Sequence, residues 1–231
     1  MAKFWVSLDV SSSAEAEARI EQLAPHRDFK IGLELYHRIG PQGVLAWTQR
    51  GYSVFLDAKL HDIPRTVAGA IANIEDLGVE LVTVHVSGGS RMLESAQSAC
   101  RSTRLIGVTV LTSLDQTELF HLGYHKSMAE MVLDYAKLAK RSGISGVVVS
   151  AREVQAVAQL WPEARLVVPG IRWPGDSTDD QERVGAPLET LRLGATDLVL
   201  GRGLWHSQDP LKRLQELVCA NHAASAPNPV D

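Results

Sequence analysis

The sequence predicts an α/β protein, a single-domain (β/α)8 TIM barrel. Two patterns point there. Eight short apolar or β-prone runs alternate with helical patterns through about 220 of the 231 residues, which implies a parallel sheet whose eight repeats close on themselves. Charged residues then collect at or beyond the C-terminal halves of those runs, the face where barrels of this kind carry their chemistry. The competing architecture is an open doubly wound sheet, but no Gly-x-Gly-x-x-Gly follows the first strand.

Taken in order, Lys3–Asp9 reads as a strand ending on a carboxylate, and Ser11, Ser12 and Ser13 offer caps for a helix over Glu15–Leu23. Asp28–Leu33 is the second strand, with Lys30 among apolar neighbours, and Gly40-Pro41 starts the next helix. The third strand is Tyr52–Lys59; its helix opens at Pro64 and stops near Leu77 at Gly78. Leu81–Val86 alternates as a fourth strand and breaks at Gly88-Gly89 before a helix to Cys100. Leu105–Leu111 is the fifth strand, and the irregular stretch Leu114–Lys126 contains a short helix. An amphipathic helix over Ala129–Arg141 precedes Gly146–Ser150, a continuous apolar run suited to a strand buried on both faces. Glu153–Leu160 is helical and Leu166–Pro169 is the seventh strand. Gly170–Arg183 is a long polar loop of the length that functional lids adopt. Pro187–Leu193 is a helix, Asp197–Leu200 the eighth strand, and Asp209-Pro210 opens a last helix to about Cys219. The barrel domain is thus expected over residues 1–220, with Asn221–Asp231 as a frayed tail.

Composition narrows the partners. Hydrophobic residues at 45% can bury a large core, and a net charge of −4 disfavours general nucleic-acid binding. No long apolar run follows the N-terminus, so no signal peptide or membrane span is expected. Two cysteines, Cys100 and Cys219, fit a reducing compartment better than a disulfide framework. The expectation is a soluble cytoplasmic protein.

Chemistry concentrates in Val54–Thr66. Four apolar or β-prone residues lead into Asp57, Lys59 and Asp62, and alternation along a strand points Asp57 and Lys59 the same way. Asp62 lies past the strand end and must fold back over it or reach the site of a second copy. Ions in a partly dry pocket cost several kcal/mol each unless mutually paired; the alternative is a surface salt bridge at a strand end. Asp9, Asp57 and Asp62 could in principle hold a metal, but the ammonium of Lys59 competes for the same carboxylates.

A second cluster follows the last strands. In Gly201-Arg202-Gly203, glycine lets backbone N–H groups approach an anion and arginine offers a two-pronged match to its oxygens. Barrel phosphate sites recur after strands seven and eight, which brings Gly170 and Arg172 toward Gly201 and Arg202. Thr112 ends strand five. His85 ends strand four, as either a core histidine or a site group, and Lys30 has an alternative reading as a rim residue snorkelling its charge.

With these residues in place the chain resembles the orotidine 5′-phosphate decarboxylase family over nearly its whole length. Leu8-Asp9, Phe29–Leu35 and Val108–Ser113 resemble the family's strands one, two and five. Phe55–Val67 resembles its signature Asp-x-Lys-x-x-Asp-Ile-Pro-x-Thr, Val168–Arg172 with Gln181 its phosphate loop, and Leu200–Arg202 its final phosphate turn. Asp-x-Lys-x-x-Asp alone is shared with sugar-phosphate relatives; Ile-Pro-x-Thr and Pro-Gly-Ile-Arg make the match specific. Gly203 and Leu204 depart from the expected proline or serine and then isoleucine, and the lid carries Trp173.

The resemblance implies cofactor-free decarboxylation of orotidine 5′-monophosphate to UMP, with no metal. It makes Lys59 the proton donor at the ring carbon that loses carbon dioxide, held by Asp57 and Lys30. Asp9 and Asp62 hold ribose hydroxyls, with Lys30 near the ribose, and Thr112 meets the pyrimidine edge. Arg172, Gln181, Gly201 and Arg202 bind the phosphate. It further implies a homodimer with shared sites, in which Asp62, Ile63 and Thr66 come from the partner subunit. The alternatives are a metal-dependent sugar-phosphate decarboxylase or lyase, and a non-catalytic nucleotide-binding barrel.

Overall fold

The computed structural model describes residues 2–176 and 185–225. Along them run β1 (Lys3–Ser7), α1 (Ser13–Gln22), β2 (Asp28–Ile31), α2 (Leu33–Gln49), β3 (Ser53–Leu60), α3 (Pro64–Glu75), β4 (Leu81–His85) and α4 (Ser90–Ala99). They continue through β5 (Arg104–Val108), α5 (Gln116–His121), α6 (Met128–Arg141), β6 (Gly146–Val148), α7 (Val154–Leu160) and β7 (Arg165–Val168). The chain then forms α8 (Pro187–Arg192), β8 (Asp197–Leu200), α9 (Arg202–Trp205) and α10 (Pro210–Ser225). Each strand pairs in parallel with the next, and β8 returns to β1, with Trp5 opposite Val199, so the sheet closes as a barrel. The (β/α)8 fold read from the alternation is the fold observed.

Local chemistry explains where the helices start. The Ser12 hydroxyl accepts the Glu15 N–H at the head of α1, and Pro64 sits in the first turn of α3, where its missing N–H costs nothing. Asp115 with Glu118 and Ser127 with Glu130 form reciprocal caps on α5 and α6; α5 is the short helix expected in the irregular stretch.

Strands β1, β2, β5 and β6 end two or three residues earlier than the sequence reading, β5 at Val108 and not at Leu111, and the helices differ from it in three places. Helix α2 begins at Leu33 and not at Gly40-Pro41: Gly40 takes a positive φ of 62° as a kink within it, and Pro41 restarts the helix beyond. A four-residue helix, α9, follows β8 directly, and the Trp205 indole N–H ties it to the Ser7 carbonyl at 2.8 Å. Helix α10 runs past Cys219 to Ser225, and Asn221 is buried within it. The frayed tail therefore does not begin at Asn221; residues 226–231 lie outside the described residues.

Two cores form. The larger lies between sheet and helices and takes in Leu8, Phe29, Ile31, Leu56 and Ile71, all fully buried. The smaller fills the barrel with Trp5, Phe55, Leu81, Ile106, Val167 and Val199. Trp5 and Phe55 meet edge-on at 5.6 Å. This plug is the floor on which the site rests, since Phe55, Val148, Val167 and Val199 also line the cavity above it.

Candidate active site

The C-terminal mouth of the barrel holds a cavity of about 260 Å³. Asp9, Lys30, Asp57, Lys59, Thr112, Arg172, Gly201 and Arg202 all line it. Eight of the residues singled out from sequence, drawn from six different strands or the loops after them, thus face one space.

Its charged wall is built by β1, β2 and β3. The register places Lys30 beside Ser7 on one side and Phe55 on the other. The Lys59 ammonium donates to Asp57 Oδ2 at 2.7 Å, and the Lys30 ammonium lies 3.4 Å from the same oxygen. Lys30 also lies 3.5 Å from Asp9 Oδ1, while the Ser7 hydroxyl donates to Asp9 Oδ2 at 2.7 Å. One carboxylate is therefore shared by two ammonium groups, and a second approaches from the rim. Burial alone raises the Asp57 pKa; Lys30 and Lys59 outweigh it, with a hydrogen bond from Thr83 adding to them, and hold the carboxyl below its ordinary range. For Lys30 burial works against the charge, and Asp57 with Asp9 overcomes it, so its pKa is raised. Both groups stay ionised.

Lys59 reaches the cavity by an unexpected route. Its φ is 47°, the only positive value outside glycine among the described residues, a conformation that costs a bulky residue roughly 1–3 kcal/mol. The ladder between β3 and β4 slips there: Leu56 pairs with Val82, and the next pair is Leu60 with Val84. Phe55, Asp57 and Lys59 do line one space, as alternation predicts, but regular strand geometry ends at Asp57 and a bulge delivers Lys59.

The opposite wall is suited to an anion. Arg172 is buried, and its guanidinium donates to the Ile171 carbonyl at 2.9 Å. Its backbone N–H donates to the Gly185 carbonyl, and the Gly185 N–H to the Gly170 carbonyl, so the two ends of the intervening segment are tied to each other. Gly201 and Arg202 approach from the start of α9. Gln181 lies outside the described residues.

Asp62, Ile63 and Thr66 are absent from this cavity's lining and all three are exposed. Asp62 Oδ1 accepts the Ile63 N–H, and Ile63 is 65% exposed. His85 faces a neighbouring cavity with His61, their rings 5.5 Å apart; burial, then His61 and Lys59, lowers its pKa. Among the described residues no three histidine, cysteine, aspartate or glutamate side chains gather as a metal site.

Sequence reasoning missed two supporting groups. Thr83, fully buried on β4, touches both Asp57 and Lys59. Arg213 of α10 lies over the Trp173 ring at 4.9 Å and donates to Asp176 and to the Gly203 carbonyl. A Cβ at Gly203 would stand 2.9 Å from the Ile171 carbonyl oxygen and 3.4 Å from the Trp173 ring. The close approach of the Ile171 backbone therefore leaves no room for a side chain at Gly203, with the Trp173 ring beside it. No sequence pattern signalled either group, because each acts across elements far apart in the chain.

Comparison with known proteins agrees with this geometry. Residues 2–217 match the family described as Orotidine 5′-phosphate decarboxylase / HUMPS family. Similar proteins include an orotidine 5′-phosphate decarboxylase of Pectobacterium carotovorum, 42% identical over 92% of this chain and 89% of that one. One from Moorella thermoacetica is 41% identical over 90% and 88%. The crystal structure of the Lactobacillus acidophilus orotidine 5′-phosphate decarboxylase superposes with a TM-score of 0.86 at 30% identity, covering 95% of this chain and 98% of that one. By sequence along nearly its full length and by the shape of its barrel, the chain belongs to the orotidine 5′-phosphate decarboxylase / HUMPS family.

Proposed function

We propose that the chain decarboxylates orotidine 5′-monophosphate to UMP and carbon dioxide without a cofactor, the last step in making UMP. One observation carries the reading: the Lys59 ammonium, 2.7 Å from Asp57, shares a single cavity with Arg172 and Arg202. A phosphate on the arginines and a pyrimidine toward the lysine would fill that space from end to end.

The chemistry follows from charge. The bond from the ring carbon to the departing carboxylate breaks and leaves its electron pair on that carbon, where the ring offers no sink. An ammonium about 4 Å away is worth about 4 kcal/mol at an effective dielectric near 20. As carbon dioxide leaves, Lys59 Nζ–H delivers its proton to the carbanion, giving UMP and a neutral amine that solvent reprotonates. Asp57 and Lys30 hold the ammonium in place. Asp9 and Lys30 meet the ribose, Thr112 the pyrimidine edge, and Arg172, Gly201, Arg202 and Gln181 the phosphate. Binding energy at that remote phosphate is available to orient the reacting end.

The exposure of Asp62, Ile63 and Thr66, which follow directly on the strand that carries Asp57 and Lys59, supports a homodimer in which each copy supplies these residues to its partner. Operation in the cytoplasm is supported by the two free cysteines; among the described residues no helix is long and apolar enough to cross a membrane.

The test is a spectrophotometric assay with orotidine 5′-monophosphate, with and without a chelator. Turnover unaffected by chelation is expected. Turnover abolished by chelation assigns the metal-dependent alternative, and nucleotide binding with no turnover assigns the non-catalytic one.

A further inference from the structure

We propose that Thr83 positions the lysine and aspartate at the heart of the site, acting through one hydroxyl that bridges them. The inference rests on the reading of Lys59 as the proton donor. Thr83 is fully buried on β4, opposite the place where the β3–β4 ladder slips. Between the pairs Leu56–Val82 and Leu60–Val84, β3 spends Asp57, Ala58 and Lys59 where β4 spends Thr83 alone. A bulge of this kind leaves backbone groups without ladder partners, and an unmade bond in a buried site is expensive.

The Thr83 hydroxyl resolves that. Its oxygen accepts the Lys59 backbone N–H at 2.8 Å, and its O–H donates to Asp57 Oδ1 at 2.9 Å. The other Asp57 oxygen, Oδ2, is the one that accepts from the Lys59 ammonium at 2.7 Å. A closed ring results: Thr83 to the lysine backbone, along its side chain to Asp57, and from Asp57 back to Thr83. The ring fixes the carboxylate plane and holds Lys59 at a φ of 47°. A side chain on a flexible stem is thereby anchored at its root and at its tip. The hydroxyl uses its donor and an acceptor at once, a pairing that serine reproduces and valine cannot.

The experiment compares Thr83→Val and Thr83→Ser with wild type, with Lys59→Ala in the same assay. Thr83→Val keeps the volume and removes both bonds. Its kcat is expected to fall about 100-fold, the scale of a 1 Å misplacement, while KM for orotidine 5′-monophosphate and UMP inhibition stay within about twofold, since ground-state contacts are untouched. Thr83→Ser is expected to recover most of the loss. Slow hydrogen exchange of the Lys59 amide in the wild-type protein checks the same bond should Thr83→Val not fold. Wild-type kcat in Thr83→Val, equal impairment in Thr83→Ser, or a fast-exchanging Lys59 amide each overturns the positioning role. If Lys59→Ala is inactive in that assay, the failure is confined to Thr83; if Lys59→Ala turns over normally, the proton-donor reading itself fails.

Discussion

The two ends of the barrel are both heavily charged, yet they are charged in different ways. At the N-terminal end Arg165 forks onto Asp197, with Nε and Nη2 at 2.9 and 2.8 Å, and reaches Glu80 at 3.1 Å. Lys3 joins Glu80 and lies 3.1 Å from Asp28. The Trp5 indole donates to Asp197 at 2.7 Å. Cations and carboxylates there answer one another through short direct bonds, and they stitch β1, β2, β7, β8 and the residue just before β4 together. At the C-terminal end two ammonium groups crowd one Asp57 oxygen, Lys59 sits on a strained backbone, and the arginines stand across a cavity. Charge at one end is spent on closure; at the other it is held for a molecule that brings its own. Buried ion pairs are poor predictors of purpose until their geometry is seen.

The largest expected effect breaks the comparison at its upper end. Lys59→Ala should lower kcat by at least about 1,000-fold, the equivalent of the roughly 4 kcal/mol assigned to the ammonium, with little loss of melting temperature. A variant that kept its rate would place the chemistry elsewhere. The converse belongs to the lower end: Arg165→Met strands the buried Asp197 and should cost about 3 kcal/mol of stability in urea melts, leaving kcat of the folded protein unchanged. A drop in kcat there would mean that the ends are coupled.

Smaller effects sharpen the contrast. Arg202→Ala should weaken kcat/KM by about 30-fold, near 2 kcal/mol for a lost charged hydrogen bond, and should spare a nucleoside inhibitor that lacks the phosphate. An equal loss of affinity for that nucleoside inhibitor would remove Arg202 from the anion wall. Mixing Lys59→Ala with Asp62→Ala, each inactive, should restore activity through hybrid dimers carrying one intact site; no recovery after subunit exchange would refute the shared site.

The smallest effect concerns acid. Burial raises the Glu80 pKa, but Lys3 and Arg165 outweigh it and bring it below the ordinary 4.5. A depressed carboxyl contributes stability above the unfolded value and loses it as pH falls through the folded one. Glu80→Gln should therefore be about 1 kcal/mol less stable than wild type at pH 7, and the gap should close in melts run below pH 4.5. A gap independent of pH would show that Glu80 acts by packing.

Much of the site was legible in the chain before folding. Asp57, Lys59, Lys30, Arg172 and Arg202 stood out because charge at a strand's C-terminal end breaks an apolar pattern, and every one of them lines the cavity. Helix starts were readable where a cap is local, as at Ser12 and Pro64. The reading failed where no local rule applied. Gly40-Pro41 looked like a helix start because a glycine kink and a glycine boundary share one signature, and Asn221 looked like tail because its burial within α10 is set by folding and not by its neighbours in sequence.

The sequence by itself determined the class of fold and the ions of the site, since period and charge are written in order along the chain. Only the tertiary structure decided that one Asp57 carboxylate answers two lysines, that Lys59 stands on a left-handed backbone, and that Thr83 and Arg213 brace the walls. The contacts of Lys30 with Asp57, of Thr83 with Asp57 and Lys59, and of Arg213 with Trp173 join residues 24 to 40 positions apart, and distance in space between such residues is set by closure of the barrel, which no short window of sequence encodes.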